Sequence, residues 1–277
     1  MIIDLHSHVL PGIDDGSPDV DTSLAMLRQQ AVQGVDVVCA TSHYYAEHSS
    51  ISGFCTRRDE ALHKLLSAGT EGLPRIVPAA EVAFFTGISE RPGLERLCIQ
   101  GTRTLMLEMP FTRWNSFQLE EVEALVLDRG FRVVLVHPER FCIKGANRDN
   151  LRMLEQLPVA LQVNAKTLLS WSTRRLGMEL LRETFCPLLA SDCHNLTSRP
   201  PNLAEARKVL QQKMGEDFLA RSIKMPQMSL VLRQKRWCHE SIWTKTDQPP
   251  GCIESGWRNG SGWGCAGRLC ICAASLG

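Results

Sequence analysis

Seven short apolar runs, at 2–5, 36–41, 76–80, 104–107, 132–136, 159–163 and 187–190, punctuate the chain, each rich in Val, Ile, Leu and Ala. Runs this short without polar alternation suit parallel strands buried on both faces. Amphipathic stretches lie between most of them, near 22–33, 56–67, 116–129, 149–156, 174–184 and 202–213. In the first stretch Leu24, Leu27, Ala31 and Val32 share a face, Asp21 is a candidate N-cap, and Gly34 is the stop. Strands joined by crossovers of this length are βα units, and seven in one domain predict an α/β barrel or a doubly wound sheet.

The polar residues favour the barrel. Six of the seven runs end in potential metal ligands: His6-Ser7-His8, His43, Glu81, Glu108, His137, and Asp192-Cys193-His194. Only the sixth run, ending near Asn164, lacks one. A parallel barrel brings all strand C-termini to one rim, where these side chains would meet; an open sheet would spread them along an edge. Imidazole and carboxylate donors suit Mn, Fe or Zn, and a carboxylate such as Glu81 can bridge two ions. One His at a strand end is ordinarily a hydrogen-bonded residue, so the weight rests on repetition. The spacing of His6 and His8 also sends both rings to one side.

Composition closes off other classes. The 31 basic and 30 acidic residues leave a formal charge of +1, which gives no pull toward nucleic acid or an anionic membrane. No apolar run is long enough to span a bilayer, and polar residues follow Met1 too closely for a secretory signal, so a cytoplasmic protein without membrane insertion is expected. The 11 Cys would then be reduced thiols. Near Met225 the composition changes: residues 226–277 hold Cys238, Cys252, Cys265, Cys270, Cys272 and four of the six Trp, without helical or strand periodicity. The expected organisation is a barrel over 1–225 and a poorly ordered, atypical tail over 226–277. Cys265, Cys270 and Cys272 lack the paired spacing that structural zinc sites favour.

The opening Asp4-Leu5-His6-Ser7-His8-Val9-Leu10-Pro11-Gly12-Ile13-Asp14-Asp15-Gly16 resembles that of the polymerase and histidinol phosphatase (PHP) superfamily. It is most similar to the manganese-dependent protein-tyrosine phosphatases encoded with bacterial capsule and exopolysaccharide genes. Ala40-Thr41-Ser42-His43, Ala80-Glu81, Leu107-Glu108-Met109-Pro110, His137-Pro138-Glu139-Arg140 and Ala190-Ser191-Asp192-Cys193-His194-Asn195, followed by Arg199, extend the likeness to about residue 224. The chain departs from the family in having Ser42 where Pro is usual and Tyr44 where a second His is usual.

The resemblance implies a distorted (β/α)7 PHP-type barrel with a metal site at the C-terminal rim, holding up to three ions, Mn²⁺ first and Fe or Zn as substitutes. By similarity His6, His8, Glu81 and Asp192 hold one ion, Glu81, Glu108 and His137 a second, and Asp14, His43 and His194 a third. Arg140 and Arg199 correspond to phosphate-binding positions, where a guanidinium fork suits phosphate better than Lys. Asp14 is also a candidate proton donor. The implied substrate is a tyrosine-phosphorylated protein, a membrane-associated bacterial tyrosine kinase; a histidinol-phosphate or other small-molecule phosphoesterase on the same site is the alternative. Clustered cations can neutralise a phosphate dianion and acidify water, so no Ser or Cys nucleophile is required. The rival signature is the C-x5-R spacing of cysteine-dependent phosphatases, which occurs at Cys142–Arg148, Cys193–Arg199 and Cys252–Arg258. Cys and Arg are frequent enough in the chain to produce such spacings by chance.

Overall fold

The structure, a computed structural model, describes residues 1–142, 147–154 and 156–220. The expected boundary at Met225, the 226–277 tail and the Cys252–Arg258 spacing lie outside the described residues.

The apolar runs form strands β1 (Ile3–Ser7), β2 (Val37–Ala40), β3 (His43–Tyr44), β4 (Arg75–Pro78), β5 (Glu81–Ala83), β6 (Thr104–Glu108), β7 (Arg132–Val136), β8 (Ala160–Asn164) and β9 (Pro187–Ala190). The second and third runs form β2 and β4, and the short β3 and β5 continue each strand after a two-residue break. The amphipathic stretches form α1 (Val20–Val32), α2 (Ile51–Ser67), α3 (Ser116–Leu127), α4 (Arg148–Leu154), α6 (Arg174–Glu183) and α7 (Leu203–Met214); a short α5 (Ala165–Leu169) is inserted after β8.

Local chemistry sets the helix limits. Asp19, not the expected Asp21, caps α1: its side chain accepts from Thr22 N–H, while Asp21 lies inside the first turn, where its charge favours the helix dipole. Gly34 follows α1 with a φ of 76°, a left-handed conformation that glycine takes without steric cost. At α3, Asn115 and Gln118 form a reciprocal capping box.

All strand pairs are parallel. They resolve into two sheets, β1-β2-β4 and β3-β5-β6-β7-β8-β9, instead of the single ring expected. The breaks in the second and third strands cause the division, because their first halves pair in one sheet and their second halves in the other. Backbone bonds still join the two sheets, from Asp192 N–H to His6 C=O and from His8 N–H to Cys193 C=O, while Ala79 N–H to Ala40 C=O and Glu81 N–H to Ser42 C=O carry the pairing of the second and third strands through their breaks. One face of each sheet contributes to a shared inner cluster that includes Leu5, Val37, Val77, Met106, Val136 and Leu188. A larger cluster, which includes Val38, Leu107, Leu135 and Leu189, packs the opposite faces against the helices.

A register shift in β1 positions the site. Asp4 is opposite Val38 and Ser7 opposite Ala40, so three steps along β1 match two along β2. Asp4 faces outward and accepts from Gln30 of α1. Strict alternation would send His6 the same way, but the bulge turns it inward, where it meets Gln162 of β8.

Candidate metal centre

His6, His8, Glu81 and Asp192, all buried, bring one donor atom each to within 4.8 Å of the others. The His6 and His8 Nε2 atoms are 3.2 Å apart, and Glu81 Oε2 is 3.0 Å from the first and 3.2 Å from the second. Donors on one ion at bond lengths of roughly 2.1 Å are separated by about 3.0–3.4 Å, the spacing found here. The rings are oriented from behind. His6 Nδ1 lies 2.8 Å from Gln162 Oε1, His8 Nδ1 2.8 Å from Asp14 Oδ2, and His194 Nδ1 3.0 Å from the Asp192 carbonyl. Each of these acceptors requires a proton on Nδ1, which leaves the Nε2 lone pair facing the cluster.

Glu81 joins this group to the next. Its Oε1 is 2.7 Å from His137 Nε2, which is 3.4 Å from Glu108 Oε1, so the expected second set comes together. Glu81 and Glu108 also group with His43, whose Nδ1 is 3.1 Å from Glu81 Oε2, in a set that leaves out His137.

The third set differs from the expectation at one residue. Asp15, not Asp14, gathers with His8, His43 and His194, at 3.3 Å from His43 Nε2 and 3.4 Å from His194 Nε2. Asp14 is committed elsewhere: Oδ2 accepts from His8 and from His43 N–H, and Oδ1 from Gly16 N–H. Burial works against its ionisation, yet these bonds, above all that from His8, hold its carboxyl below the usual range. It remains ionised and cannot serve as the proton donor suggested by its sequence position. The turn depends on Gly16, whose Cβ, if present, would lie 2.4 Å from the Cβ and carbonyl oxygen of His8.

Arg140 and Arg199 stand at opposite sides. Arg199 donates to Asp192 Oδ2 at 2.8 Å and lies 3.7 Å from Asp15, whereas Arg140 is 3.9 Å from Glu108. The sequence reading missed the second support of Asp192: Asn164 donates to its Oδ2 and accepts from Gln162, so β8, the strand without a ligand, braces both His6 and Asp192. Those amides could have been suspected from their position at the end of the one strand without a ligand among six that bear one.

A cation fits this donor set. Asp192 Oδ1 and His194 Nε2 are buried at its centre without hydrogen-bond partners, an arrangement that costs about 1–3 kcal/mol per group if nothing binds there. Without metal, protons supply the positive charge. Burial disfavours charging of His6 and His8, but Glu81 and Asp192 raise the first to about 8, and the hydrogen bonds that His8 donates to Asp14 and Glu81 raise the second to about 10. His194 is pushed down to about 3 by burial and by the neighbouring His8. Burial and the charge of Glu81 push Glu108 up. Among the described non-glycine residues only His137, Asn147 and Asp192 have positive φ, and two of these belong to the cluster.

The thiols lie apart from this chemistry. Among the described residues no disulfide forms. Cys193 is fully buried, bonded to Ser7, and pushed up to about 12 by burial; Arg148 is paired with Glu183. The Cys193–Arg199 spacing forms no anion-binding cradle around a thiolate, because Arg199 is turned to Asp192; residues 143–146 of the Cys142–Arg148 spacing lie outside the described residues.

Comparison with known proteins places this geometry in a family. The capsular polysaccharide synthesis CpsB/CapC family matches residues 2–232. The tyrosine-protein phosphatase YwqE of Bacillus subtilis is 26% identical over 227 residues, which span 78% of this chain and 87% of that protein. The tyrosine-protein phosphatase CpsB of Streptococcus agalactiae serotype V is 25% identical over 232 residues, 78% of this chain and 92% of its own. Among solved structures, a chain from work on YwqE of B. subtilis and CpsB of Streptococcus pneumoniae, described as unique metal-dependent tyrosine phosphatases, superposes with a TM-score of 0.68. That match has 21% identity and covers 83% of this chain and 94% of the other, which establishes likeness of fold. With most of its length matched, the chain belongs to the CpsB/CapC family of capsular polysaccharide synthesis proteins.

Proposed function

We propose that the protein is a metal-dependent phosphatase that removes phosphate from tyrosine side chains of proteins, its substrate being a membrane-associated tyrosine kinase of capsule or exopolysaccharide synthesis, approached from the cytoplasm. The observation that carries the reading is the set of three donor groups that overlap through His8, His43 and Glu81 and are flanked by Arg140 and Arg199. The names of the relatives agree with it. Two sheets with bonded seams and a shared inner cluster support one distorted (β/α)7 barrel, and we assign residues 1–225 to that catalytic body and 226–277 to a tail.

His6, His8, Glu81 and Asp192 would hold one ion, Glu81, Glu108 and His137 a second, and Asp15, His43 and His194 a third, with Mn²⁺ the ion best suited to this mixture of imidazole and carboxylate. Bound divalent ions would neutralise the phosphate and acidify water. Arg199 and Arg140 hold phosphoryl oxygens, and their planar forks favour the charge spread over those oxygens in a loose transition state. Gln162, Asn164 and Asp14 keep the donors aligned, so little reorganisation is needed during reaction. A departing phenolate, whose conjugate acid has a pKa of about 10, needs little help from a proton donor. This agrees with an Asp14 that stays ionised.

The test is hydrolysis of a phosphotyrosine peptide by the full chain with Mn²⁺, with EDTA, and with Cys142→Ser, alongside histidinol phosphate. Peptide hydrolysis that requires Mn²⁺ and survives the cysteine change is expected. Activity confined to histidinol phosphate would assign a metabolic substrate, and EDTA-resistant, Cys142-dependent activity would overturn the metal mechanism.

A further inference from the structure

Phe111 is a large apolar side chain left 55% exposed at the edge of the metal centre. Its ring centroid is 6.2 Å from that of His137, and the Arg140 guanidinium carbon stands 5.2 Å from the Phe111 centroid. The loop beneath it is firmly held. Trp114, itself buried, donates from Nε1 to the Pro110 carbonyl at 2.8 Å, and Asn147 donates to the Thr112 carbonyl at 2.9 Å, so the residues on both sides of Phe111 are pinned. Asn147 adopts a φ of 58° while making these bonds, a backbone strain accepted in a residue that anchors the loop. An exposed aromatic ring held in this way beside the Arg140 guanidinium presents an apolar face to whatever that guanidinium binds.

We propose that Phe111 is the wall against which the phenyl ring of an aryl phosphate rests when Arg140 holds the phosphate, and that it makes the site favour aryl over alkyl phosphate monoesters. The inference rests on the phosphatase reading above and adds a specificity residue to it. Phe111 is the better wall than Tyr45, because Phe111 stands against the Arg140 guanidinium whereas Tyr45 stacks on His43 at a centroid distance of 5.5 Å. Phe111 offers an uncharged face, and edge or offset ring contacts are the geometries such a face favours.

Dissociation constants for phenylphosphonate and methylphosphonate, which bind without being hydrolysed, test the proposal on the Mn²⁺-loaded full chain. Wild type should bind the phenyl compound about fivefold or more tightly than the methyl one, by the usual worth of an aromatic contact. Phe111→Ala should remove most of that preference and leave methylphosphonate within about twofold, Phe111→Leu should keep part of it, and Arg140→Ala should weaken both ligands together. Equal weakening of both ligands by Phe111→Ala would show that the ring only positions Arg140 and would overturn the proposal. So would a wild type that binds both equally, with the phosphatase reading left standing. A wild type that binds neither phosphonate would overturn both.

Discussion

Asp14 and Asp15 are adjacent carboxylates with different tasks, and replacing each by Asn separates them. Asp14 has only 5% of its side chain exposed and uses both oxygens, Oδ2 for His8 and His43 N–H and Oδ1 for Gly16 N–H. An amide keeps one acceptor oxygen, so in either flip at least one donor of this turn loses its partner, and His8 loses a charged one. An unsatisfied buried donor costs about 1–3 kcal/mol. Taking about 2 kcal/mol, at about 2–4 °C per kcal/mol for a domain of this size, Asp14→Asn should lower the Tm of the metal-free protein by about 4–8 °C. Loss of the acceptor that orients a ligating imidazole should also weaken metal binding by about 10- to 100-fold. Asp15 is 64% exposed, and its neighbours are ion pairs at 3.3–3.7 Å, so Asp15→Asn should leave the metal-free Tm within about 1 °C. It should instead bind one ion fewer. Thermal unfolding of the chelated proteins, with metal counted after equilibrium dialysis, reads both effects. A normal metal count in Asp15→Asn, together with an ion lost from a thermally unaltered Asp14→Asn, would reverse the assignment and refute the reasoning.

Gly16→Ala should cost more than 2 kcal/mol in denaturant unfolding, on the order of an overpacked core, and should abolish tight metal binding, because its Cβ would press on His8 backbone and Cβ at 2.4 Å. A fully stable, metal-competent variant would show that the turn yields freely. The metal-free protein should also lose stability as pH rises. His6 and His8 titrate in the folded state at about 8 and about 10, above the ordinary imidazole value of 6.5, so their contribution is complete below 6.5 and is lost as pH climbs through 8 toward 10. His194 has the opposite sign: held at about 3, it costs stability as pH falls below 6.5. Urea midpoints measured with EDTA between pH 5 and 10 should therefore fall on the alkaline side, and a flat profile there would contradict the charge arrangement described.

Much of this architecture was legible in the chain because it is written in short-range patterns. An apolar run of four to six residues reads as a buried strand wherever it sits, and a ligand at its C-terminal end has its direction set by the strand itself. His6, His8, His43, Glu81, Glu108, His137, Asp192 and His194 could therefore be collected from sequence. The choice between Asp14 and Asp15 could not, because it depends on a turn that folds back on His8 and on which carboxylate the imidazole captures. The bulge that turns His6 inward is likewise a register mismatch with β2, a property of two strands and of neither alone. Gln162 and Asn164 are ordinary amides until β8 is laid beside the strands that bear His6 and Asp192. The sequence by itself determined the strands, the helices and the inventory of donors, since these follow from local periodicity and side-chain chemistry. Only the tertiary structure decided which donors share an ion and which brace the others, because those roles depend on distances of about 3 Å between residues as far apart along the chain as His6 and Asp192.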